Sequence, residues 1–294
     1  MNTVIILGNG FDLDLGLPTH FRQFLISHRH LPIKTPILNR KIYGDSKWCD
    51  IEGLLRELSI SYCLNPSVKL LEEIRDTKML ISKGWAQYLL EEIQLEKIHI
   101  DKKSYAYTFI KEVQNKHIWY SFNYTDPFYL SGERNAPIIN HVHGALIPYE
   151  LSPFEMYKLP VQELIIGIDY KKMKSTLRKE LEFLVKQKQR EYHESKLTEA
   201  LYEADIIIFY GHSLGITDSD YFEDFFNDLC EGKTKCKKLY VITADEEGLA
   251  GIKSNLKQYH IDYNLLGKSR TEIITIYTKD RTYKKQFQTM LSLL

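Results

Sequence analysis

Short, mostly apolar runs recur along the chain, and each predicts a strand that is buried on both faces of a sheet. The two clearest runs lie at residues 3–7 and 204–210. Weaker runs of the same kind occur at residues 117–122, 138–143, 164–168, 238–243 and 273–277. Apolar residues at helical spacing separate several of these runs. The alternation predicts an α/β fold with a doubly wound, mostly parallel, Rossmann-like sheet.

A mostly helical stretch interrupts this alternation after the first strand. Its leucines and isoleucines recur every three or four positions, as in amphipathic helices, and no strand signal lies among them. Residues 35–115 are therefore predicted as a helical insertion subdomain, and residues 1–34 and 116–294 together as one nucleotide-binding domain. A further long helix is predicted over residues 172–202, with the basic run Lys186–Arg190 on its solvated face.

Composition narrows the class of protein. The 39 basic and 39 acidic residues cancel, so no net charge favours a nucleic acid or an anionic membrane as partner. The four cysteines form no C-x-x-C pair, which is typical of reduced thiols in the cytosol. No apolar run is long enough to span a bilayer, and the first residues do not resemble a signal peptide. We therefore expect a cytoplasmic protein without a membrane or nucleic-acid partner.

Unusual polar residues follow four of the predicted strands. They are Gly8–Asp12, Asn123–Asp126, His143–Gly144 and Gly211–Ser213. Ligands of open α/β sheets bind outside the carboxyl ends of the strands, so we expect these groups to meet around a ligand. The alternative for the first group is a tight glycine turn that only packs a helix on the sheet. Its dehydrogenase fingerprint is incomplete, because Leu13 replaces the third glycine.

These motifs also give the chain a family resemblance. The chain resembles the AbiH family of bacterial abortive-infection proteins, and that family in turn resembles the sirtuin-like NAD-binding fold. The residues that carry the resemblance to AbiH span almost the whole chain: Gly8-Asn9-Gly10-Phe11-Asp12-Leu13, Gly16-Leu17-Pro18-Thr19, Trp48 with Asp50 and Glu52, Phe122-Asn123-Tyr124-Thr125, His141-Val142-His143-Gly144, Gly211-His212-Ser213-Leu214, Asp218 and Tyr221-Phe222.

The resemblance implies a phage-defence protein that binds NAD or a related nucleotide and hydrolyses its N-glycosidic bond. In the sirtuin-like fold an asparagine lies near the nicotinamide ribose and the histidine of a His-Gly pair acts as base. These match Asn123 and His143, which we predict as the catalytic pair. The residues predicted to bind the nucleotide are Gly8, Asn9, Gly10, Phe11, Asp12, Thr125, Asp126, Gly211, His212, Ser213, Asp218 and Asp245. A phage-derived trigger is the expected partner, and self-association is left open.

Each side chain has an expected part in this chemistry. Asn123 would orient a water or a ribose hydroxyl, and His143 would take a proton, since histidine titrates near neutral pH. Tyr124 or Phe11 would cover the ring and exclude water. Asp12, whose charge would repel a phosphate, is expected to accept from a sugar hydroxyl. The alternatives are a structural histidine, an Asx-turn at Asn123 and a plain helix N-cap at Asp245.

Three other functions compete with the glycohydrolase. A nucleotide-binding sensor without turnover is favoured by Thr125, which stands where the sirtuin-like pattern has aspartate. The zinc module of deacylating sirtuins is absent, which argues against protein deacylation. The G-x-S-x-G pattern at Ser213 suggests an α/β-hydrolase with Asp245 and His260, although no helix follows the serine directly. His141 and His143 share a strand face, but no spacing supplies further ligands, so we predict no metal.

Overall fold

The chain divides into two compact units. The structure, a computed structural model, describes residues 1–27, 50–93, 98–113, 116–133, 135–146, 164–169, 177–189, 192, 195–266 and 270–294. The sheet unit consists of Met1–Leu17, Ile98–Val142 and Glu194–Leu294, and the helical unit consists of Pro18–Lys97 and His143–His193.

The sheet unit is built on one six-stranded, all-parallel sheet. Its strands are β1 Thr3–Leu7, β2 Ile118–Ser121, β3 Ile139–His141, β4 Ile206–Tyr210, β5 Lys238–Thr243 and β6 Glu272–Tyr277. They lie in the order β3-β2-β1-β4-β5-β6. Every residue of β1 and β4 is buried, because these strands occupy the centre of the sheet and are covered on both faces. The predicted α/β fold with a parallel sheet is confirmed.

Helices flank this sheet and make up most of the described residues of the helical unit. Their bounds are α1 Asn9–Asp14, α2 Phe21–Ser27, α3 Ile51–Leu64, α4 Val68–Glu92, α5 Tyr105–Glu112, α6 Pro127–Leu130, α7 Leu197–Glu203, α8 Ser219–Cys230, α9 Glu246–Gln258, α10 Tyr263–Leu266 and α11 Lys284–Leu293. On α8, Phe222 and Phe226 pack their rings on Phe209 of β4, with ring centroids 5.5 and 5.9 Å apart. Each helix in the described ranges is too short or too polar to cross a membrane.

The helical unit has its own capped and packed helices. Asp50 caps α3 by accepting a hydrogen bond from the Gly53 N–H at 2.8 Å. Trp85 of α4 packs on Phe24 of α2, with ring centroids 5.4 Å apart. The sequence predicts an insertion at residues 35–115, whereas this unit begins at Pro18 and includes a second segment, His143–His193.

The second segment corrects two predicted elements. Residues 164–168 form no strand of the sheet; they make an isolated parallel bridge between Ile168 and Val185. The predicted helix over 172–202 is also wrong, because the described residues contain the 3₁₀ helices Lys179–Leu184 and Lys186–Lys188 before α7. The Ile168 N–H donates to the Leu184 carbonyl at 2.9 Å, and the Lys186 N–H donates to the Ile168 carbonyl at 3.2 Å. This tertiary pairing outweighs the local preference for an α-helix.

Candidate functional site

The first glycine motif joins the loops after β1 and β4. Helix α1 begins directly after β1, with Gly8 as its N-cap. The Gly8 N–H donates to the Tyr210 carbonyl and the Gly10 N–H donates to the Gly211 carbonyl, both at 2.9 Å. A Cβ on Gly10 would lie 2.7 Å from the Gly211 Cα, which is too close for any other residue. Glycine is therefore needed here because the two backbones are in direct contact.

Asp12 ties α1 to the loop after β2. Its side chain is fully buried. One carboxylate oxygen accepts from the Asn123 Nδ2 at 2.8 Å, and the other accepts a short hydrogen bond from the Thr125 hydroxyl. Burial raises the pKa of Asp12 to about 7, although both hydrogen bonds act in the opposite direction. The buried carboxyl thus fastens the β2 loop to α1.

Asn123 is held in one orientation by residues of the β1–α1 junction. Its Nδ2 donates to the Gly8 carbonyl at 3.0 Å as well as to Asp12. Both amide hydrogens are thereby used, so Oδ1 is left as the acceptor of this side chain. The Asn123 carbonyl in turn accepts from His141 Nδ1 at 3.0 Å, and burial lowers the pKa of His141. The structure thus orients an amide acceptor at the carboxyl end of β2.

Other predicted nucleotide-binding residues have structural partners in the sheet unit. Phe11 is fully buried against Tyr210, with ring centroids 4.7 Å apart, so its ring packs within the sheet unit. Asp126 caps α6 by accepting from two N–H groups. Asp245 caps α9 and pairs with Lys279 at 2.7 Å, which lowers its pKa. Asn9 is exposed at the start of α1.

The loop after β4 places a histidine among aromatic rings. His212 is buried, and its centroid lies 4.3 Å from that of Phe122. Its Nδ1 accepts from the Leu214 N–H at 3.0 Å, and its Nε2 is 3.7 Å from Asp218 Oδ2. Ser213 is exposed beside it. The histidine therefore braces the loop, and the serine faces outward.

The hydrolase triad does not assemble around Ser213. Asp245 is the N-cap of α9, and His260 follows the end of the same helix. At a rise of about 1.5 Å per residue the two are roughly 20 Å apart, far beyond hydrogen-bond reach. In the described part of the chain, no three His, Cys, Asp or Glu side chains form a group that suits a metal ion either.

A small cavity lies at the carboxyl ends of β4 and β5. Its volume is about 140 Å³. Four of the predicted nucleotide-binding residues line it, namely Gly10, Gly211, His212 and Ser213. Thr243 and Gly248 complete the side formed by β5 and α9. The cavity therefore brings together residues from both glycine motifs.

His143 belongs to the helical unit, whereas Asn123 belongs to the sheet unit. His143 is buried, and its Nε2 lies 3.4 Å from the Nζ of Lys186. Lys186 donates to Glu52 Oε2 at 2.9 Å, and Glu52 Oε1 accepts from the Gly167 N–H at 3.0 Å. Lys186 is fully buried, so its predicted place on a solvated helix face is wrong.

Sequence reasoning missed two charged groups, the fully buried Lys186 and the half-buried Asp14. No local pattern separates Lys186 from the lysines around it, and fully buried lysines are rare. Asp14 accepts from the Ala106 N–H and the Tyr210 hydroxyl, both at 2.7 Å, and burial raises its pKa. The only sequence feature that pointed to Asp14 is its position two residues after Asp12. Trp48, which contributes to the family motif, lies outside the described residues.

Comparison with known proteins identifies the family. None of the curated proteins compared with the chain matches it. The family model described as "Bacteriophage abortive infection AbiH" matches residues 4–240, which is most of the 294-residue chain. The matched span includes all but the first residue of β1, the glycine motifs, Asn123 and His143. The chain therefore belongs to the AbiH family of bacteriophage abortive-infection proteins.

Proposed function

We propose that this AbiH protein binds NAD or a related nucleotide at the carboxyl edge of its sheet unit and cleaves the N-glycosidic bond in the cytoplasm of an infected cell. Membership of the family supports the role in phage abortive infection. The strand order supports the nucleotide, because β3-β2-β1-β4-β5-β6 is the order of dinucleotide-binding sheets. Ligands of such sheets bind where the order reverses, which here is between β1 and β4.

The orientation of Asn123 is the observation that carries the proposal. Its Nδ2 is used on Gly8 and Asp12, so Oδ1 is the atom that would accept a hydrogen bond from a ribose hydroxyl or from water. Cleavage breaks the bond between ribose carbon and nicotinamide nitrogen through an oxocarbenium-like state. Water adds to that carbon, and its proton leaves to a base. An acceptor fixed beforehand lowers the cost of orienting the reacting hydroxyl.

The non-catalytic sensor is the second candidate, and the size of the cavity favours it. Small-molecule sites usually measure about 300–1,000 Å³. The cavity of about 140 Å³ has room for part of a nucleotide, such as one ribose. Asp12 and Thr125 are also bonded to each other rather than directed at a ligand. A protein that binds a nucleotide without turnover would need only a cavity that holds part of the nucleotide.

Release of nicotinamide from NAD by the purified protein separates the two candidates. We expect release by the wild type, and its loss in Asn123→Ala and in His143→Ala, the variant of the predicted base. Asn140→Ala is the matched control, because Asn140 is an exposed asparagine of β3 whose side chain bonds only the Trp119 carbonyl among the described groups. Circular dichroism checks the fold of each variant. Saturable NAD binding without release would establish the sensor, and equal release by Asn123→Ala would refute the proposed role of Asn123.

A further inference from the structure

A buried lysine stands at the centre of a charged cluster in the helical unit. Lys186 has no exposed surface, and its Nζ lies 2.9 Å from Glu52 Oε2 and 3.4 Å from His143 Nε2. An ammonium group is rarely buried unless an acid is paired with it, and Glu52 provides that acid. The cluster thus joins three titratable side chains from three separate stretches of the sequence.

The segment 164–168 holds the three side chains in place. The Gly167 N–H donates to Glu52 Oε1 at 3.0 Å, and the Ile165 N–H donates to the His143 carbonyl at 3.3 Å. The bridge between Ile168 and Val185 sets the backbone position of Lys186, the next residue. Glu52 lies in the first turn of α3, where its charge is also favourable to the helix dipole. One short extended segment therefore fixes all three partners.

The donor and acceptor properties of these groups determine the state of the imidazole. An ammonium group has three donors and no acceptor, so an imidazole nitrogen that bonds it must be unprotonated. Glu52 keeps the ammonium charged, because an opposite charge at hydrogen-bond distance favours the ionised form. We propose that Lys186 and Glu52 are positioning residues that hold His143 in the tautomer with Nε2 bare and the proton on Nδ1.

This tautomer changes the part that His143 can take in the proposed reaction, and this step rests on the proposed function. With Nε2 occupied by Lys186, and Nδ1 already carrying a proton, the ring donates a hydrogen bond but has no free site for another proton. The base of the proposed reaction would then be a group other than His143. The tautomer itself does not depend on any turnover.

The ring-nitrogen signals of His143 in a ¹H–¹⁵N spectrum of the whole protein at neutral pH test the proposal. The signals are assigned by their loss in His143→Gln. We expect the Nε2 signal at the position of a bare nitrogen and the Nδ1 signal at that of a protonated one. Lys186→Met should move both signals towards the Nε2-protonated form, which is the ordinary tautomer of free imidazole side chains. Lys188→Met, a control two residues away on an exposed ion pair, should leave them unchanged.

The wild-type spectrum decides the matter even if Lys186→Met fails to fold. A protonated Nε2 in the wild type would overturn the proposal, and so would signals that stay the same in a folded Lys186→Met. Glu52→Gln, which keeps the shape of Glu52 and removes its charge, should shift the signals in the same direction as Lys186→Met. Failure of the proposed function would give a different result. The protein would release no nicotinamide from NAD, while the spectrum would still show His143 with its proton on Nδ1.

Discussion

Asp12 is an acid whose ionisation opposes folding. Its carboxyl is fully buried, and burial raises its pKa from 3.8 to about 7. Between these two pH values the folded chain binds a proton that the unfolded chain has already released. Stability therefore falls as the pH rises from about 4 to about 7, and a shift of this size corresponds to about 4 kcal/mol in total. The same carboxyl holds the side chains of Asn123 and Thr125 by hydrogen bonds.

Substitution Asp12→Asn should remove this pH dependence. The amide oxygen still accepts from Asn123, and the amide NH₂ donates to the Thr125 hydroxyl, so the packing is preserved. We expect the variant to gain stability relative to the wild type as the pH rises from 5 to 8. Urea unfolding at both pH values measures the difference. If the free energies of unfolding of the two proteins change in parallel with pH, Asp12 is not protonated in the folded chain near neutral pH.

Lys186 and Lys188 provide a matched comparison of a mostly buried and an exposed ion pair. Lys186→Met removes the fully buried partner of a pair in which the Glu52 side chain is 20% exposed, and it leaves Glu52 without its counter-charge. Breaking a fully buried pair costs about 3–5 kcal/mol, so we expect a loss of about 2–3 kcal/mol here. Lys188→Met removes an exposed pair with Glu182, in which the side chains are 37% and 44% exposed, and should cost below about 1 kcal/mol. Urea unfolding at pH 7 measures both, and similar values for the two variants would contradict the buried position of Lys186.

At the scale of elements, the carboxyl ends of β1 and β4 are joined by backbone contact. The Gly10 N–H bonds the Gly211 carbonyl at 2.9 Å, and Gly211 has a positive φ of +66°. A side chain at Gly211 would meet the backbone of Gly10 and Phe11. The junction is therefore rigid, and it carries the residues that line the cavity.

Gly211→Ala should destabilise the chain far more than Gly232→Ala. Both glycines have a positive φ, +66° and +71°, which costs an alanine about 1–2 kcal/mol. A Cβ on Gly232 meets nothing within 4 Å, so Gly232→Ala measures this strain alone. The contacts at Gly211 should add at least about 2 kcal/mol. Thermal or urea unfolding gives the comparison, and equal losses would show that the two loops separate easily.

The elements that sequence patterns predicted most clearly are those whose environment is uniform. The runs at β1 and β4 are apolar throughout because both of their faces are covered, and the helical spacing of α3 and α4 reflects one buried face. The segment 164–168 is equally apolar, but its partner is a single bridge to Val185 rather than the sheet. A short apolar run therefore predicts that a segment is buried, but it does not predict which neighbouring element covers it.

At the scale of the whole molecule, the strand order brings together what the sequence separates. The sequence predicted that polar groups at strand ends would meet, and in the sheet unit Gly8, Asp12, Asn123 and Thr125 are joined by hydrogen bonds. It did not predict that Asp12 and Phe11 would be fully buried, or that Lys186 would bond to His143. Burial of a charged side chain depends on partners that are distant in sequence, and no local pattern encodes them.

The oriented amide of Asn123 in the sheet unit is the proposed binding point for a nucleotide. Calorimetric titration of the purified protein with NAD tests it most directly, with wild type, Asn123→Ala and Asn140→Ala compared under the same conditions. We predict saturable binding by the wild type and by Asn140→Ala. Binding by folded Asn123→Ala should be at least tenfold weaker, which corresponds to about 1.4 kcal/mol. Equal affinity of Asn123→Ala and the wild type, or no binding by the wild type, would contradict the account.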